Sequence, residues 1–245
     1  MLLTLLCLTA IVAAVSANMK SVSIFSTSSS DSTVTRKQQA DLGRLKGVEL
    51  FYLERSEQRD YLERHCQGTL TVWDSMAASG THYESLQHEL LKWCALSTSS
   101  SDVTVVLDPH SPIVSVHAIQ NLLEQGNVAV LDDKKENLIH GSYVQIRNDN
   151  DSAKQVARSM MKLLAETDLE LLHKHALLIP KSLYNLIDKS QWYLLTLSCR
   201  KDDSDSPHLA CGKTYCCSVQ DRTAETTILL SRHFIIPYQH LPEHS

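Results

Sequence analysis

Beyond its first 17 residues the sequence has no apolar run long enough to cross a bilayer as a helix, which takes about 20 residues, so the body of the chain is not expected to span a membrane. It has no basic surplus either. Lys and Arg number 23 against 28 Asp and Glu, a formal net charge of −5 with 12 neutral histidines, which argues against nucleic acid or an anionic membrane as the main partner. The strong catalytic signatures are missing: there is no glycine-rich phosphate loop, no G-x-S-x-G elbow and no H-E-x-x-H pair. No residue acquires a catalytic role from pattern alone.

What opens the chain is Met1 to Ala17 (MLLTLLCLTAIVAAVSA), free of charged side chains and apolar from Leu2 to Val15. Residues 1–17 read as a signal peptide, with Val15 and Ala17 marking cleavage before Asn18. Because only the α-amino group supplies positive charge, an uncleaved signal anchor is the alternative. Secretion, or residence in the ER or Golgi lumen, follows from the leader, and with it an oxidising compartment and no membrane contact after cleavage. Cysteine usage agrees. Cys7 leaves with the leader, and Cys66, Cys94, Cys199, Cys211, Cys216 and Cys217 form an even set that permits disulfides whose connectivity is open. Four of them crowd into 199–217 around the polar stretch Lys201 to Pro207, the pattern of a stapled, Cys-rich loop. A zinc knuckle from Cys199, His208, Cys211 and Cys216 or Cys217 matches no common zinc spacing. Asn150-Asp151-Ser152 is an N-glycosylation sequon, which sets that corner on the surface. Residues 18–245 are expected to form one domain.

Periodicity gives the fold class. Ser21–Phe25 and Val48–Leu53 read as strands around a helical stretch, Lys37 to Leu45, and 55–79 as one helix plus loop. Thr81 and Glu84 form a capping-box pattern ahead of a helix carrying Leu86, Leu90, Leu91, Trp93 and Cys94. Val103 to Asp108 is apolar without alternation, the mark of a strand buried on both faces, and it stops at Asp108-Pro109-His110-Ser111-Pro112. A helix from Val116 to Gln125 closes at Gly126. A strand at Asn127–Leu131, a short one at Tyr143–Ile146 and an amphipathic helix at Ser152–Glu166 follow. Another helix within 168–178 is expected to break before Pro180, and strands at Trp192–Ser198, Thr226–Ser231 and Phe234–Pro237 flank the cysteines. The pattern predicts an α/β fold, a mixed, mostly parallel sheet sandwiched by helices.

In such sheets ligands gather at the carboxyl ends of the strands, and that rule selects Asp108. With His110 two residues on, it offers two ligands to one divalent cation; the plainer alternative is an aspartate that caps a helix or stabilises a turn. His173-x-His175 does not share a helix face, and His65, His82 and His88 are scattered, so these histidines read as surface or core rather than metal ligands.

Three segments carry a resemblance. Lys92-Trp93-Cys94, Val103 to Val114 (VTVVLDPHSPIV) and Gly141-Ser142-Tyr143 shortly before Arg147-Asn148 are similar, in that order, to a nematode-expanded family related to fungal and plant galactosyl- and xylosyltransferases. In that family a basic-His-Cys helix precedes a strand ending L-D-A-D-I-G-V-V, and an A-G-S-Y-L-V-R-N segment follows. The likeness covers roughly residues 80–165. It implies a GT-A fold, a nucleotide-sugar donor, a glycan acceptor and a manganese ion held by the D-x-D pair. Asp108 then matches the first aspartate, His110 stands where the second belongs, and Gly141, Ser142 and Tyr143 become substrate contacts. His240, in Ile235 to His240, is similar to the histidine that completes the metal site; the plainer alternative is a solvated tail histidine. The chain departs from the pattern at Pro109 and at Ser111-Pro112. Lys174-His175-Ala176 falls where the family has D-N-G-A-x-H, leaving its catalytic acid without a counterpart, and the H-G-x-W and R-D-G-W pieces are absent. The resemblance thus implies a glycosyltransferase-like protein of the secretory pathway, transferring a hexose from a nucleotide-sugar, with a degenerate metal site. The alternative is a catalytically inactive secreted module that binds carbohydrate or protein, and the third is an unrelated secreted disulfide domain.

Overall fold

Val103–Leu107 shows no polar alternation because the strand it forms is covered on both sides: Val103, Val105 and Leu107 enter one hydrophobic core and Val106 the other. The computed structural model describes residues 20–25, 40, 42–45, 47–80, 82–107, 116–132, 138–175, 177–201, 215–220 and 228–230. Their strands are β1 (Lys20–Phe25), β2 (Val48–Leu53), β3 (Val103–Leu107), β4 (Asn127–Asp132), β5 (Ile139–Arg147), β6 (Trp192–Lys201), β7 (Tyr215–Gln220) and β8 (Ile228–Leu230). They join in one sheet of order β2-β1-β3-β5-β4-β6-β7-β8. Only β5 and β7 run against the other six, so the sheet is mixed and mostly parallel in direction, as the alternating pattern predicts.

Helices cover both faces. On one lie α1 (Gln58–His65), α2 (Leu70–Ala78), α3 (Glu84–Thr98), α5 (Asp151–Glu166), α6 (Leu169–Lys174) and α7 (Leu178–Leu186); on the other lie α4 (Val116–Leu123) and the stretch around Leu42 and Leu45. The first core gathers Leu62, Trp73, Met76, Leu90, Trp93 and Met160 over Val106, Ala129, Val144 and Ile146. The second sets Ile119, Leu122 and Leu123 over Val22, Val105, Val128 and Val130. Helix α3 is buried almost all round because it lies between β3 and the helices α1, α2 and α5. A disulfide joins Cys66, at the end of α1, to Cys94 in α3 across 28 residues of sequence. Helix α5 buries Val156, Met160 and Leu164, and Asn150 Oδ1 caps it by accepting the Ala153 N–H at 3.1 Å. Among the described residues no helix is long and apolar enough to cross a membrane.

Several local expectations change. Residues 55–79 form two helices and two 3₁₀ turns rather than one helix plus loop. Helix α3 begins at Glu84 with Tyr83 at the N-cap and no side-chain cap, while Thr81 lies outside the described residues. The helix expected within 168–178 is α6, which ends before Pro180, but Pro180 is not what ends it: it sits in the first turn of α7, where its missing N–H would have had no intrahelical partner. β5 runs to nine residues rather than a short Tyr143–Ile146 strand. The span 199–217 is not all loop either, because Cys199 belongs to β6 and Cys216 and Cys217 to β7. Phe234–Pro237 lies outside the described residues.

Candidate functional site

The strand order defines where a crevice opens. From β1 the chain moves outward to β2, whereas from β3, the other neighbour of β1, it moves across the sheet to β4. Adjacent parallel strands whose connections diverge leave a cleft beyond their carboxyl ends, and this is the topological switch point at which α/β sheets bind ligands. The chain departs from that edge, after Leu107, as Asp108-Pro109-His110. Asp108, His110, His240 and Cys211 lie outside the described residues.

The same edge carries an irregularity in β5. Against β3 the strand is regular, with Leu107 opposite Tyr143, so Gly141 and Ser142 lie beyond the last residue of β3. Against β4 it is not. Ala129 pairs with Val144 and the next residue, Val130, pairs with His140, so Gly141, Ser142 and Tyr143 have no partner on β4. Such a bulge ends regular pairing and re-aims the strand, and bulges gather at sheet edges beside functional sites; glycine is common at them. The three residues singled out as substrate contacts are therefore the bulged ones. β4 itself ends at the same edge with Asp132, opposite Leu197 of β6. An acid closing an apolar strand, as Asp132 does, is the same sequence signal that marked Asp108.

Tyr143 is fully buried. Its hydroxyl donates to Gln145 Oε1 at 2.6 Å, and Gln145 Nε2 donates to the carbonyls of Leu122 at 2.7 Å and Gly126 at 2.8 Å, where α4 ends in a turn with Gly126 at φ 92°. Burial pushes the Tyr143 phenol far above its ordinary range, so it stays neutral. With no solvent exposure, the Tyr143 side chain packs in the second core beside the bulge. Arg147 and Asn148 stand at the opposite edge. The Arg147 N–H donates to Asn127 Oδ1 at 2.8 Å, and its guanidinium pairs with Asp149 at 2.6 Å, a bond that holds that carboxyl below the usual range. Asn148 Nδ2 donates to the Ser101 carbonyl and to Thr104 Oγ1, tying the end of β5 to the start of β3.

Lys92-Trp93-Cys94 is a packing element. Lys92 is buried and pairs with Glu89 at 2.5 Å, Trp93 Nε1 donates to the same carboxylate at 3.0 Å, and Cys94 is disulfide-bonded. Of the scattered histidines, His65 stacks on Tyr61 and His88 is buried. The structure does bring His82 and His173 together, with ring centroids 4.1 Å apart, beside Tyr83, whose hydroxyl donates to Glu170 at 2.5 Å. That bond, more than the nearby Lys174 and histidines, holds the Glu170 carboxyl below its usual range. Among the described residues no group of three or more His, Cys, Asp or Glu could hold a metal ion.

No family model matches the chain, and no curated protein does. Among solved structures it is similar to the glycosyltransferase GlyE of Streptococcus pneumoniae TIGR4, with a TM-score of 0.45 and 10% identity. That likeness covers 73% of this chain and 45% of the other, so the chain spans under half the length of that protein.

Proposed function

We propose that the chain is a glycosyltransferase-like domain of GT-A type that binds a nucleotide-sugar at the carboxyl edge of β1, β3 and β5. One observation carries the reading: the divergence of the chain from β1 and β3 coincides with the bulge at Gly141–Tyr143 and with the strand that leads into Asp108. Two sequence segments chosen on resemblance, the one containing Asp108 and Gly141–Tyr143, belong to strands that end or begin at one edge. Manganese accepts a carboxylate and an imidazole, so Asp108 and His110 would hold it, with His240 as a third ligand. When bound, the ion would neutralise a diphosphate leaving group. One carboxylate fewer than the D-x-D pair weakens that grip. Gly141 and Ser142 supply backbone contacts at the mouth, while Tyr143 acts from behind. Residence in the ER or Golgi lumen, or outside the cell, is supported by the Cys66–Cys94 disulfide. A glycan on Asn150 fits the same placement, since the helix cap uses Oδ1 and the sugar would bond Nδ2.

The test is titration calorimetry of the full chain with a panel of nucleoside diphosphates and nucleotide-sugars, with and without manganese. Binding that needs the metal and falls at least tenfold in Asp108→Ala supports the reading. No binding of any nucleotide across the panel refutes it. A second reading, an inactive carbohydrate- or protein-binding module, is favoured by the exposure of Lys174 and His175 where the family places its acid. Manganese-dependent hydrolysis or transfer from a nucleotide-sugar, lost in Asp108→Ala, would exclude it.

A further inference from the structure

The cysteines near the C-terminus do more than crowd together: the pairing of β6 with β7 gives them a register. In that antiparallel pair Cys199 stands opposite Cys217, while Cys216 stands opposite Arg200. Residues directly opposite in an antiparallel ladder have Cα atoms about 4.5–5.5 Å apart, within the ~4.4–6.8 Å that a disulfide spans. Adjacent residues of a strand belong to opposite faces of the sheet, so Cys216 shares neither the position nor the face of Cys199. Cys66 and Cys94 are already joined to each other. We propose that Cys199 and Cys217 form a cross-strand disulfide, which leaves Cys211 and Cys216 as the third pair.

The chemistry is thiol–disulfide exchange with an oxidised carrier, either a protein disulfide or glutathione disulfide. The thiolate of one cysteine attacks the carrier and displaces one thiol. The second cysteine then attacks the resulting mixed disulfide, the Cys199–Cys217 bond forms, and the carrier leaves fully reduced with both electrons and two protons. The product locks the base of a hairpin. β6 runs in the same direction as β3 and β4, so the 202–214 segment leaves Lys201 and returns at Tyr215 on the edge assigned to the ligand. The staple limits how far Lys201 and Tyr215 separate, on the same edge of the sheet as the proposed nucleotide-sugar site. This consequence rests on the edge assignment; the linkage itself does not.

The experiment is non-reducing peptide mapping of the full chain produced through an oxidising secretory host, with free thiols alkylated first. Trypsin yields Ser190–Arg200 with Cys199, Asp202–Lys213 with Cys211, and Thr214–Arg222 with both Cys216 and Cys217. The expected product is all three peptides linked in one species, and electron-transfer fragmentation between Cys216 and Cys217 must place Ser190–Arg200 on Cys217. In a C211S/C216S variant, Ser190–Arg200 and Thr214–Arg222 should remain linked as a pair. Linkage of Cys199 to Cys216 or Cys211, or alkylated thiols at both Cys199 and Cys217 of the wild-type chain, overturns the proposal. Each of those results leaves the nucleotide titration standing, so the two readings fail separately.

Discussion

Gln145 is the side chain on which the bulge most depends, and its replacement by leucine is the sharpest test of how the edge is built. Leucine is apolar and similar in size, and it removes three hydrogen bonds at once from a position with no solvent exposure. Their losses are unequal. The Leu122 carbonyl still accepts the Gln125 N–H at 2.9 Å, so the groups stranded are the Tyr143 hydroxyl and the Gly126 carbonyl. A buried polar group deprived of its partner costs about 1–3 kcal/mol; the Tyr143 hydroxyl is such a group, whereas the Gly126 carbonyl, at a half-buried residue, can turn to water, which puts Gln145→Leu at about 1–3 kcal/mol. That is a large fraction of the ~5–15 kcal/mol typical of a folded domain. Tyr143→Phe alone should also destabilise, by about 1–2 kcal/mol, because it leaves Gln145 Oε1 without its donor. The sign then reverses: added to Gln145→Leu, Tyr143→Phe removes the stranded hydroxyl and should restore stability. Urea unfolding followed by tryptophan fluorescence measures all four forms. The reasoning fails if Gln145→Leu costs under about 0.5 kcal/mol, or if Tyr143→Phe lowers the stability of the Gln145→Leu protein further. A Tyr143→Phe protein that is fully stable but binds nucleotide more weakly would return Tyr143 to the ligand site.

Replacing Cys66 and Cys94 together by alanine opens a crosslink over 28 residues of sequence, for which chain entropy gives about 3–4 kcal/mol; without reductant the double variant should show a lower urea midpoint than wild type. The Glu170 carboxylate is held below its ordinary range first by the Tyr83 hydroxyl, so it stabilises the fold above the unfolded pKa of about 4.3, and the contribution is lost as pH falls through the folded value. Thermal unfolding between pH 5 and pH 3 should therefore fall less steeply in Tyr83→Phe than in wild type, and a steeper fall would contradict the assignment.

What could be read from the sequence was what local pattern dictates. β2 is found at Val48–Leu53 as expected, and β3 ends one residue before Asp108, because an unbroken β-branched run closed by an acid and a proline leaves the backbone few choices. Gly126 marks the end of α4 because the turn needs a positive φ. What escaped is non-local. The bulge depends on the register of β5 against two different neighbours, and no window of residues 139–147 carries that information. Tyr143 entered as a substrate contact through the resemblance of Gly141-Ser142-Tyr143, and the bond of its buried hydroxyl to Gln145 belongs to the fold, which that motif does not encode. The helix expected before Pro180 is there, at Leu169–Lys174, but the one that contains Pro180 escaped because a proline tolerated in a first turn looks identical, in sequence, to one that stops a helix.

The two edges of the sheet divide the work. At the amino edge, side chains tie strand to strand: Ser21 Oγ donates to Thr104 Oγ1 at 3.2 Å, Thr104 donates to Ser99 Oγ at 2.6 Å, and Asn148 and Asn127 bind across to neighbouring segments. None of these groups faces the carboxyl edge. Fixing strands at one end and leaving their other ends to loops gives a ligand rigid footing together with variable contacts, which is what a site assembled from several strand ends needs. Gln145 extends that footing, since it anchors the end of α4 to β5 close to the bulge. The Arg147-Asn148 pair of the family-like segment is then explained by the amino edge and Gly141-Ser142 by the carboxyl edge. A short motif that reads as one unit in sequence serves two ends of one strand.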